Sequence, residues 1–337
     1  MNCTLLSAIA LIIAVMHFSK RTIGIACAII TVAIWSGFII IARAMAQKTL
    51  TSFDIGFMRF IGAAVVMLPW GYWWVRKQRL SNPNHESWLG LSPYGFRFTA
   101  MIGMIAGVMY ATLAYSGFLF APAAHASVLM PGSLPLWTTL FAFIIIGTPI
   151  TPARWMGLVL IMSGGLLVGG ASLLKAFDGG DVWRGDVLFI LSGITWSSYT
   201  VIARKFSLAA IPATIAVSVF CAFTYVPVYG ALAYFGAIES HLSIAPWSEL
   251  LTQALVQGIG SVVISGITFV RMIETFGAVR STMITAVVPS LSALGAVLFL
   301  GEPLYWNLLL GLALVTIGIV FGVKPVTTAA TLQTATR

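Results

Sequence analysis

The chain has 337 residues, 59% of them hydrophobic and only 8% charged, with a net charge of +9 and a mean hydropathy of +1.00. A water-soluble domain of this length cannot bury so much apolar surface or cover itself with so few charges. A soluble enzyme or nucleic-acid-binding domain is therefore excluded, and a multi-pass membrane protein is expected.

Residues 1–19 form an N-terminal extension. MNCTLLSAIALIIAVMHF is apolar but has no basic leading region, so it is a poor signal peptide. An eleventh short span, a peripheral helix and sequence upstream of a true start at Met16 are the three readings. Beyond it, stretches of about 20 apolar residues fall at roughly 22–42, 53–74, 98–119, 124–147, 155–174, 185–203, 212–236, 250–270, 278–300 and 305–322. Alternating segments of the kind that build membrane β-barrels are not seen. Ten helices are expected, because backbone groups in lipid must be satisfied within their own segment. A tail, 325–337, follows the last span.

The spans repeat. WSGFIIIAR at 35–43 returns as WSSYTVIAR at 196–204, an offset of 161 that also carries Gly24 to Gly185. At an offset of 154, Pro135 matches Pro289, Gly147 matches Gly301, Pro149 matches Pro303, and Gly157 and Gly164 match Gly311 and Gly318. The longer loop around RKQRLSNPNHESW in the first half absorbs the difference. Two five-helix repeats are expected, 20–174 and 185–324, joined by a linker at 175–184. Five is odd, so the second unit must run inverted relative to the first. Such pairs recur in secondary transporters, where one unit rocks against the other around a midplane site.

The basic residues agree with that topology. With the N-terminal side of the first span in the cytoplasm, 13 of the 18 Lys and Arg fall inside and four outside, while Arg59 lies within a span. Asymmetry of this kind orients helices during insertion. The N and C termini are then cytoplasmic, and the positive charge reflects topology rather than a nucleic-acid partner.

The paired units, the W-S-x-[FY] helix that opens each half, Arg59 in FMRFIGAA and the closing stretch VVPSLSALGAVLFLGEPLYWNLLLGLALVTIGI at 287–319 resemble the drug/metabolite transporter superfamily. Within it they are similar to the EamA-type group of ten-helix transporters, over about residues 20–324. The resemblance implies an exporter in the inner (cytoplasmic) membrane. One departure stands out: GTP at 147–149 occupies the place of GEP at 301–303, so one of the two expected carboxylates is missing.

Several residues are candidates for the transport site. Trp35 and Phe38 lie three apart on one face of the first span, and Trp196 and Tyr199 repeat the pair on the sixth. Each tryptophan sits about a dozen residues into its helix, or ~18 Å at 1.5 Å per residue, deeper than the interfacial belt. They are expected to wall a central cavity from both sides and stack on flat or apolar substrate groups; helix packing is the plainer use of the same rings. Tyr110 offers a hydroxyl to a substrate or to a neighbouring helix. Gly103 and Gly107 on the same span set close packing. His125 stands at the start of the fourth span; histidine is the side-chain type that switches charge near physiological pH, so it is a candidate for proton coupling, substrate contact or simple capping.

Pro131, Pro135 and Pro289 remove backbone donors and are the candidate gating hinges. Arg59 reads as structural, snorkelling to the outer end or paired with Asp54 or a carbonyl, with gating or anion contact as the other readings. Glu302 reads as a helix-end residue, with proton coupling as its alternative. Gln257 and Asn307 can supply amide hydrogen bonds to the cavity. Cys3, Cys27 and Cys221 match no metal-ligand spacing, so no metal and no cofactor are expected.

The function expected is secondary transport of small metabolites, amino acids or related amphipathic and aromatic compounds. Its partners are a small-molecule substrate and membrane lipid, with protons as the candidate coupling ion and a homodimer as the candidate assembly. With few carboxylates at mid-depth, proton antiport and facilitated uniport both stand open. An intramembrane enzyme is disfavoured, because neither H-E-x-x-H nor G-x-S-x-G occurs. A lipid or amphiphile translocator and an uptake permease of the same fold are the alternatives.

Overall fold

The computed structural model describes residues 19–44, 48–169, 173–174, 177–301 and 303–323. The N-terminal extension up to Phe18, part of the linker, Glu302 and the C-terminal tail lie outside the described residues. Among those described there is no strand, and a helix stands at each expected apolar stretch. They are α1 (Lys20–Ala44), α2 (Ser52–Ser81), α3 (Phe96–Gly117), α4 (Ala123–Ile146), α5 (Pro152–Gly169), α6 (Val182–Lys205), α7 (Ala210–Tyr234), α8 (Trp247–Phe276), α9 (Ala278–Leu300) and α10 (Trp306–Gly322). Among the described residues, nine helices are long and apolar enough to cross a membrane; α10, with 17 residues, is apolar but shorter.

The distribution of polarity is that of a membrane protein. Ile29, Val65, Leu298 and Phe299 face outward, while Thr31, Ser197, Thr282 and Ser292 are buried. Water would reverse that arrangement; in lipid, hydroxyls gather between helices, where they find hydrogen-bond partners.

Prolines interrupt matching helices in the two repeats. α4 stops at Leu129 and restarts at Leu134, and α9 stops at Thr285 and restarts at Val288. Pro135 and Pro289 sit in the first turn of the restarted segment, where a missing N–H leaves no carbonyl unpaired. Deeper in a continuous helix each ring would strike the carbonyl four residues back. Both restarted segments end on a glycine in left-handed backbone, Gly147 at φ 65° and Gly301 at φ 70°. Three irregularities go beyond the apolar stretches of the sequence. α7 breaks at Thr224, three residues before Pro227, and α3 and α8 contain wide π-type turns at Met104–Met109 and Ala254–Ile264.

Each helix packs mainly on the other repeat. α1 lies against α8 and α9, α6 against α3 and α4, α2 against α8, and α7 against α3. Glycines make the closest of these contacts. A Cβ on Gly107 would fall 2.1 Å from Cys221 Sγ, and one on Gly103 2.4 Å from Phe220 Cβ, which binds α3 closely to α7. α5 and α10 pair along their length. A Cβ on Gly157 would meet the Gly318 carbonyl at 2.7 Å, and one on Gly164 would meet the Gly311 carbonyl at 2.7 Å. The lower-numbered glycine of one helix touches the higher-numbered glycine of the other, so the two helices run antiparallel.

Candidate functional site

The midpoints of α1 and α6 meet through their repeated tryptophans. Trp35 and Trp196 stand edge to face with ring centroids 5.9 Å apart, and Phe269 of α8 leans on both, at 5.1 and 5.7 Å. Tyr110 lies 4.9 Å and Tyr199 5.6 Å from the Trp196 ring. These separations and tilts are those that aromatic quadrupoles favour.

Beside this cluster lies a cavity of about 540 Å³, mouth included, walled by Trp35, Phe38, Tyr110, Met130, Pro131 and Trp196 together with Arg59 and Ser261. A second cavity of about 410 Å³ includes Phe60, Tyr199, Thr214 and Val217 in its wall. Arg59, Trp196 and Ser261 border both.

Arg59 departs from its sequence expectation. It is only 7% exposed, it does not meet Asp54, and it points to the centre of the bundle rather than to the outer end. Its Nη1 donates to Ser261 Oγ at 2.9 Å and to Gln257 Oε1 at 3.3 Å, and its guanidinium carbon stands 5.9 Å from the Tyr110 ring. Tyr115 also donates to Gln257 Oε1, at 3.4 Å. The reason is local. Gly62, one turn from Arg59, lies against the backbone of Ala254, and Gly258 lies against Gly62. The bare backbones bring α2 and α8 together, so Gln257 and Ser261 fall within reach of the guanidinium.

Asp54 has other work. It closes a capping box with Thr51, accepts from the His241 N–H at 3.0 Å and from the Tyr229 hydroxyl, and so fastens α2 to the α7–α8 connection.

The two tryptophans differ in one respect. The Trp35 indole N–H donates to Ser265 Oγ at 3.0 Å, whereas the Trp196 N–H is buried without an acceptor. His125 is fully buried, with Nδ1 2.7 Å from Asp186 Oδ1. The pair ties the first turn of α4 to the first turns of α6, outside both cavities. Pro135 and Pro289 are buried at their helix restarts and border neither cavity. Asn307 lies away from the cavities and donates to the Leu167 carbonyl at 2.8 Å. Glu302 lies outside the described residues.

Ser261, Phe269 and Asp186 escaped the sequence reading. Glycine next to a polar residue, as in Arg59–Gly62 and Gln257–Gly258, was the available signal for the first.

Comparison with known proteins agrees with this architecture. An "Uncharacterized transporter" from Archaeoglobus fulgidus is 28% identical over 179 residues, 52% of this chain and 55% of that protein. The chain thus spans about half the length of the curated relative it matches. A solved structure described as "Crystal structure of protein" superposes with a TM-score of 0.64 at 20% identity, covering 90% of this chain and 96% of the other, a likeness of fold. The model of the EamA-like transporter family matches twice, over residues 22–170 and again over 183–323. The protein is a multi-pass membrane protein, and it belongs to the EamA-like transporter family.

Proposed function

We propose that the protein is a secondary transporter exporting small metabolites, amino acids or related aromatic and amphipathic compounds, across the cytoplasmic membrane by alternating access. Ten helices cross the membrane in this reading, as two five-helix units of opposite orientation with both termini cytoplasmic. The observation that carries it is the cavity at the Trp35–Trp196 contact, where equivalent residues of the two repeats form one wall. The reciprocal glycine contacts of α5 and α10 support a two-fold axis in the membrane plane, because equivalent residues are exchanged between antiparallel helices.

Helix direction alternates along the chain in this topology. The first cavity, which reaches Ala126 near the start of α4, then opens toward the outer side. The second, which reaches Thr214 near the start of α7, opens toward the cytoplasm. Trp196 and Arg59 stand between them as the site that each side reaches in turn. The helix breaks at Pro131, Pro135 and Pro289 act as hinges. The His125–Asp186 pair, linking the two repeats, is the candidate proton-coupling group. The family resemblance favours export over uptake.

The test compares metabolites in the medium of cells expressing the wild-type chain with those expressing Trp35→Ala/Trp196→Ala at equal membrane abundance. Mass spectrometry is expected to find a defined compound released by the wild type and retained by the double variant. Equal release by both would move the site elsewhere. No release above empty vector, with accumulation or lipid scrambling instead, would replace export by uptake or amphiphile translocation.

A further inference from the structure

Arg59 combines a full charge, near-complete burial and a position on both cavities. Its described hydrogen-bond acceptors, Gln257 and Ser261, are neutral, and none of the ion pairs among the described residues includes it. A guanidinium removed from water without a counter-charge is unfavourable unless something negative arrives. Trp196 adds an independent sign. It borders both cavities, and its indole N–H is buried without an acceptor among the described residues. Trp can only donate, so the missing partner is an acceptor.

We infer that the cargo is a monocarboxylate with an apolar or aromatic body, and that Arg59, helped by the Trp196 N–H, binds its carboxylate; the word cargo rests on the transport reading above. One positive charge sets the valence. Among the described residues no other charged side chain lines either cavity. A single carboxylate therefore neutralises the site, whereas a phosphate dianion would leave one charge uncompensated in a low-dielectric space and a cation would meet repulsion. A guanidinium also matches the two carboxylate oxygens in geometry. Trp35, Phe38, Met130 and Leu134 provide an apolar wall for the remainder of the molecule. Ser261 and Gln257 act as positioning residues, holding the guanidinium when no cargo is bound.

The experiment pairs acids with their uncharged isosteres. Purified full-length protein is titrated with 3-phenylpropionate and 3-phenylpropionamide, and with 4-methylpentanoate and 4-methylpentanamide, following tryptophan fluorescence. The same compounds are tested for flux in proteoliposomes. Loss of a hydrogen bond to a charged group predicts each acid binding at least about tenfold more tightly than its amide. Arg59→Gln removes that preference, and Arg59→Lys retains part of it. Should Arg59→Gln fail to fold, the wild-type comparison still decides, and Trp196→Phe is expected to weaken the acids more than the amides.

Amides binding as well as acids, or no acid binding at millimolar concentration, overturns the inference. The two readings fail separately. Acid-selective binding without flux above protein-free vesicles removes transport and keeps the carboxylate site. Flux of neutral compounds, unchanged by Arg59→Gln, keeps transport and removes the carboxylate site.

Discussion

Where α5 meets α10, Gly157 lies on Gly318 and Gly164 on Gly311, so each repeat shows the other the same surface. Where α1 meets α6, Trp35 and Trp196 also face each other, but the likeness stops at the rings. One indole N–H is bonded to Ser265 and the other is unsatisfied, and a single arginine with no counterpart in the other repeat stands beside them. The position 161 residues after Arg59 is Phe220. The first contact is backbone against backbone and leaves no room for a side chain, so both copies must be glycine. A cavity wall has room, and two different side chains can stand in equivalent places. Symmetry holds where contact is closest and lapses where a ligand would bind.

The glycine contact offers the largest effect with which to break this comparison. Gly164→Ala places a methyl 2.7 Å from the Gly311 carbonyl and 2.9 Å from the Val315 amide, and Gly318→Ala places one 2.8 Å from the Gly157 carbonyl. Overpacking against backbone is expected to cost about 3 kcal/mol in each case. Thermal unfolding in detergent should show matched losses, and a large drop for only one would deny the symmetry of the interface.

The centre predicts the opposite, a mismatch between equivalent changes. Trp35→Phe strips a donor from Ser265 and is expected to lower stability by about 0.6 kcal/mol, a usual value for hydrogen bonds between membrane helices. Trp196→Phe deletes an N–H that has no partner, and stability in the absence of ligand should hold or rise. Equal losses on melting would mean that the two indoles are equivalently bonded after all.

The smallest effect lies in the loops, where symmetry is also absent. The position 161 residues after Asp54 is Ile215, and among the described residues the Asp54–Tyr229–His241 clasp has no second copy. There the Thr49 carbonyl, at 2.8 Å, and the Glu239 carboxylate, at 2.9 Å, both accept from the His241 ring and hold its pKa above the ordinary 6.5. A raised value favours the folded state fully below the ordinary range, and that contribution is lost as pH rises through the raised value. Wild-type melting temperature should therefore fall slightly across that window, and His241→Gln should flatten the fall. A variant that keeps the same pH dependence would show that another group titrates.

How much was legible follows from the range of each interaction. Composition and the spacing of apolar runs located the helices, because a helix in lipid satisfies its backbone internally and needs no distant partner to do so. The echo of WSGFIIIAR in WSSYTVIAR announced the repeat and picked out the two tryptophans that meet. Pro135 and Pro289 marked breaks, since a proline acts on the carbonyl four residues away. The break in α7 before Pro227 followed the same rule but was read as continuous helix. The wide turns in α3 and α8 carry no comparable local signal.

Arg59 shows the limit. Its distance from the helix end along the chain suggested a side chain reaching for the surface and for Asp54. Only the approach of α2 and α8 through Gly62 and Gly258 turned it toward Gln257 and Ser261 instead. His125 likewise gave no hint of Asp186, 61 residues on, and Phe269 no hint of the two tryptophans it touches. The sequence by itself determined the membrane class, the helices and their duplication, all of which depend on local backbone chemistry and on patterns counted along one strand of chain. The tertiary structure alone decided which polar groups share a cavity and which charge has only neutral partners among the described residues, because those depend on how closely separate helices can approach.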